Sequence, residues 1–185
     1  MQVETTHIPG LFVIKPKVFE DGRGFFMESW NKDVLDAKGL KYDWIQDNHA
    51  RSGTLGVLRG LHFQLPPSAQ SKLVRVSNGA VYDVVVDLRQ GSPTYGQWHG
   101  VELSAENHLQ LLIPRGFAHG YKTLTEIAEF QYKVDAYYDA KRDAGIAWND
   151  PDLNIEWPGG APLLSDKDMK LPLLKDFDSP FVYEG

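Results

Sequence analysis

The chain has 185 residues, 42% hydrophobic and 24% charged, which is the size and composition of one globular domain with a substantial core. A net charge of −6 argues against broad attraction to nucleic acid or anionic membrane, and the absence of cysteine excludes disulfides and thiolate metal sites. The opening MQVETTHIPG lacks the basic and apolar regions of a signal peptide, and no apolar run nears the ~20 residues of a membrane span, so a cytoplasmic protein is expected.

In chain order, Leu11 to Phe19 alternates loosely and predicts a strand, with Pro16 favouring an edge or a departure from the sheet. Asp21-Gly22-Arg23-Gly24 is a turn, and Phe25 to Trp30 predicts a second strand. Asn31 to Lys38, capped by Asn31 and stopped by Gly39, predicts a short helix, the longest in the chain. Eight strands are expected next: Trp44–Arg51, Gly56–Gln64, Ser71–Ser77, Ala80–Leu88, Gln97–Leu103, Leu109–Ile113, Gly120–Leu124 and Ala128–Tyr137. Asn78-Gly79 between apolar runs predicts a tight hairpin pairing 71–77 with 80–88. Some ten short strands with little helix indicate an all-β sandwich, jelly roll or barrel. Beyond Tyr138 the pattern fades into turns. Ser165-Asp166-Lys167-Asp168 has the form of a capping box, and the Pro-rich tail is expected to wrap the body. No repeat, linker or low-complexity tract divides residues 1–185.

Chemistry concentrates first in Leu58-Arg59-Gly60-Leu61-His62-Phe63-Gln64. Arg59 offers a planar fork suited to phosphate or carboxylate, and His62 a group that moves protons near neutrality. Strand alternation would send these two side chains opposite ways. Gly60 between them permits a bulge that lets both serve one cavity, or Arg59 works from the rim. Lys72, Val74 and Val76 share one strand face, as do Val81, Asp83 and Val85; an acid among valines has to be paired or hydrogen-bonded if that face is core. The PxGxxH spacing of Pro114, Gly116 and His119 resembles the second motif of the cupins, double-stranded β-helix proteins with a cavity inside the roll. Many cupins hold a metal through a His-x-His pair, but here the pair reads His62-Phe63-Gln64. With those ligands missing, neither metal nor other cofactor is expected.

A closer resemblance follows from motifs in order along nearly the whole chain. They are Asp21-x-Arg23-Gly24-x-Phe26-x-Glu28, Gln46-Asp47-Asn48, Gly56 to His62, Lys72-Leu73-Val74-Arg75-Val76, Asp83 to Arg89 and Ile113-Pro114-x-Gly116-Phe117-Ala118-His119-Gly120. Tyr132-Lys133, Tyr137-Tyr138, Trp148 to Pro151 and Leu164-Ser165-x-Lys167-Asp168 continue the series. The sequence resembles the dTDP-4-dehydrorhamnose 3,5-epimerase family, which implies a cupin-like double-stranded β-helix with a few short helices. It implies a dTDP-4-keto-6-deoxy sugar nucleotide as substrate, with the C4 ketone acidifying the hydrogens at C3 and C5. By the same resemblance His62 is the base, Tyr132 the acid on the opposite face, Asp168 the partner of His62, and Lys72 the cation near the C4 oxygen. Carried over for binding are Arg23, Glu28, Gln46, Asn48, Arg59, His119, Tyr138 and Lys167, with Arg23 and Arg59 suited to the pyrophosphate. The family further implies a homodimer with exchanged N-terminal strands. Departures are a longer turn at 51–56, Ala50 where Ser is common, and Asp143 where Glu is frequent. A mono-epimerase, a ketoisomerase on a related roll and a metal-free sugar-binding cupin are the competing readings. A binder needs no base, acid and orienting carboxylate, so their joint presence favours an enzyme.

Overall fold

The computed structural model describes residues 1–185 and contains two antiparallel sheets, a detached hairpin and little helix. Strands β1 (Gln2–Thr5), β2 (Phe12–Lys15), β3 (Val18–Asp21) and β4 (Gly24–Met27) precede a short helix α1 (Lys32–Asp36). Then come β5 (Gln46–Ser52), β6 (Leu58–Gln64), β7 (Lys72–Asn78), β8 (Ala80–Asp87) and β9 (Trp98–Ser104). The series ends with β10 (Gln110–Ile113), β11 (Phe117–Thr123), β12 (Ala128–Val134) and β13 (Asp143–Gly145). One sheet has the order β1-β2-β10-β7-β12-β5, the other β13-β6-β11-β8-β9, and β3 pairs only with β4.

Strand alternation explains how these sheets stack into a roll. Val74 and Val76 of β7 meet Val81 and Val85 of β8 in the central core, which also holds Phe130 of β12 and Leu111 of β10. The other face of β8 presents Val84 and Val86 to a second cluster that includes Ile146, Leu153 and Phe181. Strand β8 therefore packs apolar side chains on both faces, which is why valine occupies both parities in it, at 81, 84, 85 and 86. Each such valine contributes about 1.5–3 kcal/mol by leaving water. A third cluster, with Ile14, Leu73 and Leu112, is roofed by Leu35 of α1. That helix starts where Asn31 Oδ1 accepts the Val34 N–H at 3.2 Å, and Gly39 follows it in the left-handed region at φ 82°.

Two expectations are corrected. The Asn78-Gly79 turn does not make a hairpin ladder, because β7 and β8 lie in different sheets. Both edges of β7 are occupied by β10 and β12, so the chain at Gly79 steps across to the opposite layer. Gly79 is still needed: its φ is 72°, and a Cβ there would lie 2.0 Å from the Ile127 carbonyl oxygen. The expected strand over 11–19 is in fact two, broken at Pro16-Lys17, where a residue without an N–H cannot continue a ladder. Strands β1 and β13 had no sequence signal. Each is short and gains its strand character from a neighbour, β2 in one case and β6 in the other.

The last forty residues cover the second sheet. Leu163 forms a parallel bridge with Val57, Val182 does the same with Gln90, and Phe181 is buried in the second cluster. No helix is long and apolar enough to cross a membrane.

Candidate active site

Strands β6, β7, β11 and β12, with residues 163–168 of the C-terminal segment, enclose a cavity of about 520 Å³. The register of β6 against β11 decides which side chains reach it. His62 stands opposite His119 and Arg59 opposite Tyr121, so three steps on β6 match two on β11. The surplus residue lies at Gly60, whose φ is 131° and where a Cβ would come 2.6 Å from Gly120 Cα. The irregularity turns both Arg59 and His62 to the same cavity, Arg59 from an exposed position at its rim.

Inside are two imidazole–carboxylate pairs. His62 Nε2 lies 2.5 Å from Asp168 Oδ1, and His119 Nε2 lies 3.0 Å from both oxygens of Asp83. Asp168 is 4% exposed and Asp83 fully buried. Asp83 thus finds the partner its position among valines demanded, a side chain from the neighbouring strand rather than backbone. Ser165 Oγ accepts the Asp168 N–H at 3.2 Å, so half of the capping box forms, while the Asp168 carboxylate turns to His62. A 3₁₀ turn, Asp168–Lys170, starts there.

Lys72 lies at the start of β7 with its ammonium 6.0 Å from the centre of the Tyr132 ring. Burial holds its pKa down to about 8, partly offset by Asp83 and Asp143. Burial pushes the Tyr132 phenol above its ordinary range, with Arg59 opposing. The same desolvation lowers the His62 pKa; Asp168 opposes that shift, and Lys167 and Lys72 add to it. Burial raises the Asp83 pKa against the pull of His119 and Lys72. Near neutrality the cavity therefore holds a neutral imidazole, a protonated phenol and an ammonium.

The remaining candidates divide. Lys167 borders the cavity and donates to Asp143, which also accepts the Tyr138 hydroxyl at 3.1 Å, forming an exposed group at the rim. Arg23, Glu28, Gln46 and Asn48 do not line this cavity within the chain. Arg23 is on the β3–β4 turn, exposed and bonded to Asp21, and Glu28 accepts from Asn31. Gln46 donates to Asn48 at 2.8 Å, and Asn48 lines a separate depression that Tyr132 also borders. For Arg23 the physical reason is the isolation of the β3–β4 hairpin, which pairs with neither main sheet and carries it away from the roll, while Gln46 and Asn48 lie on the edge strand β5. Sequence reasoning missed Tyr121 and Leu163 as wall residues. Tyr121 was findable, two residues from His119 on the same strand face; Leu163 lies in a segment without periodicity. No group of three or more His, Asp or Glu side chains converges to hold a metal ion.

The chain is similar over most of its length to known proteins. The family described as dTDP-4-dehydrorhamnose 3,5-epimerase matches residues 5–176. A protein of that description from Shigella flexneri is 54% identical over 96% of this chain and 98% of its own length. The crystal structure of a dTDP-4-dehydrorhamnose 3,5-epimerase from Bacillus anthracis, with TDP and pyrophosphate bound, is 52% identical with a TM-score of 0.91, covering 93% of this chain and 98% of its own. That of a dTDP-6-deoxy-D-glucose-3,5-epimerase from Legionella pneumophila in complex with dTDP-4-keto-L-rhamnose is 44% identical with a TM-score of 0.94, covering 100% and 99%.

The His62–Asp168 contact makes a measurable demand. Asp168→Asn keeps the shape and removes the charge that raises the His62 pKa, so that pKa should fall below its already depressed value. Titration of His62 by NMR in both proteins reads it directly. Equal titrations would mean that Asp168 only starts the 3₁₀ turn.

Proposed function

This chain belongs to the dTDP-4-dehydrorhamnose 3,5-epimerase family, isomerases of nucleotide sugars, and we propose that it inverts C3 and C5 of dTDP-4-dehydro-6-deoxy-D-glucose using His62 as base and Tyr132 as acid. The product is dTDP-4-dehydro-L-rhamnose, and the reaction takes place in the cytoplasm. The observation that carries the residue roles is the pairing of His62 with a buried carboxylate in the same cavity as Lys72 and Tyr132.

The chemistry follows from protonation states. The Asp168 carboxylate accepts Nε2–H of His62, which leaves Nδ1 with the lone pair that takes a proton from carbon. Loss of that proton from C3 or C5 gives an enolate through the C4 carbonyl. The Lys72 ammonium stabilises the oxygen on which negative charge develops, and its desolvation in the cavity strengthens that effect. Tyr132, kept protonated by burial, delivers a proton from the opposite face and inverts the centre. Solvent restores both groups between turnovers. Arg59 and Lys167 at the rim suit the pyrophosphate, His119 the sugar, and the exposed Tyr138 ring stacks on the base.

A homodimer completes the reading. Arg23 and Glu28 lie outside their own chain's cavity, while the β3–β4 hairpin that carries Arg23 exposes Phe19, Phe25 and Phe26 by 52%, 57% and 67%. An exchanged N-terminal hairpin would bury these rings and bring Arg23 and Glu28 to the partner's site, with Gln46 and Asn48 at the junction. Light scattering should give twice the chain mass, and a fully active monomer would defeat this arrangement.

Isotope exchange separates base from acid. His62→Ala should lower both turnover and solvent-deuterium uptake by roughly 10²–10⁴-fold, the range for loss of a general base. Tyr132→Phe leaves the base, so deuterium should still enter recovered substrate while net epimerisation falls. Normal epimerisation at both carbons by Tyr132→Phe would make Tyr132 a packing residue.

The pH dependence has a defined sign. Protonating His62 removes the base and deprotonating Lys72 removes the cation. In the free enzyme kcat/KM should therefore rise with pH through the depressed His62 pKa, below 6.5, and fall near 8. In Lys72→Met the whole profile should be lower and its descending limb should no longer fall near 8; a limb that stays there belongs to another group.

A further inference from the structure

Lys122 is the only lysine among the buried residues, at 2% exposure. It lies on β11, but on the opposite face from His119 and Tyr121, where it is turned away from the cavity and toward the C-terminal segment. Its ammonium donates to two backbone carbonyls, Pro158 O at 2.8 Å and Gly160 O at 2.5 Å, and makes no ion pair. Burying a cation without a counter-charge is costly, and its hydrogen bonds have to offset that cost. An apolar side chain of the same length would fill the space without the charge, so the two carbonyls are what the ammonium serves.

Those carbonyls begin the stretch that builds one wall of the site. Directly after them, Leu163 N–H donates to Gly56 O at 2.8 Å and Leu58 N–H donates to Leu163 O at 2.9 Å. Leu163, Leu164 and Ser165 then line the cavity, and Asp168 meets His62. The segment is thus fastened at Lys122, at Leu163, by the Lys167–Asp143 ion pair and by the Asp168–His62 contact, and of these only Lys122 clamps it from behind the sheet. The loop at 158–160 carries Gly159 in the left-handed region and Gly160 beside it, so little else in its own sequence holds its path.

We propose that Lys122 is a positioning residue for the epimerisation: by clamping the carbonyls of Pro158 and Gly160 to the back of β11, it sets where the C-terminal segment delivers Asp168 to His62. This rests on the reading of His62 and Asp168 as base and partner. The test replaces Lys122 with methionine, which keeps the stem and removes the donors. Thermal unfolding establishes that the variant is folded, and dTDP serves as the binding probe.

The folded Lys122→Met protein should bind dTDP within about twofold of the parent, while kcat drops between about 10-fold and the ~100-fold that a 1 Å misplacement can cost. His62 should titrate lower by NMR, since its carboxylate is no longer held against it, and Lys122→Arg should recover most of kcat. A parental kcat, or a lowered kcat with an unchanged His62 titration, overturns the proposal. Should Lys122→Met fail to fold, Lys122→Gln, a shorter uncharged side chain, is judged by the same criteria; if neither folds, Lys122 serves folding alone and the proposal fails. Asp168→Asn run in parallel keeps the two readings apart. Parental turnover in that variant removes the base–partner assignment itself, whereas loss there with a normal Lys122→Met removes only the clamp.

Discussion

The contact between His62 and Asp168 joins residues 106 positions apart, and much of the molecule is arranged so that it can form. A carboxylate at 4% exposure is tolerated only where charge or hydrogen bonding compensates for lost water. Here the imidazole compensates Asp168, and the tail that carries it is held by contacts remote from the reaction. Phe181 is packed under the second sheet, Ala147 N–H donates to Pro172 O at 2.8 Å, and Leu163 bridges to Val57. On the other side, the surplus residue in β6 at Gly60 turns His62 to the cavity without costing Arg59 its place at the rim.

The cavity walls set protonation states by one cause acting in two directions. Desolvation disfavours charge on every group, so it lowers a basic group and raises a phenol. Applied to His62, Lys72 and Tyr132, it makes a neutral imidazole, an easily titrated ammonium and a firmly protonated phenol. The carboxylates temper this: Asp168 supports His62, and Asp83 supports Lys72 while bonding His119. Removing Asp83 would therefore affect both His119 and Lys72, whereas removing Asp168 acts on His62.

The all-β class, the capped helix at Asn31 and eight of the strand positions were legible because each depends on neighbours within a few residues. Face sharing was legible for the same reason. Lys72 with Val74 and Val76, and Asp83 with Val81 and Val85, follow from a period of two and nothing more. The family motifs added His62, Tyr132, Lys72, Arg59, His119, Lys167 and Asp168, and the fold brings these seven to one cavity. Lys122 carried no signal. Its surroundings are made by a segment that follows it by more than thirty residues.

What the sequence determined by itself is local: where strands run, which side chains share a face, where turns need glycine, and that an acid among valines must find a partner. Which partner was decided by the tertiary structure alone. The Asn78-Gly79 turn shows why, since the same left-handed residue serves a hairpin or a step between sheets, and the choice depended on β10 and β12 having filled both edges of β7. The same holds for Arg23, whose hairpin pairs with neither sheet; the local context of Asp168 reads only as a cap, and it was the family resemblance that pointed to His62. Pairings between distant residues depend on the order in which strands occupy a sheet and on the path of the tail across it, and no short stretch of sequence encodes either.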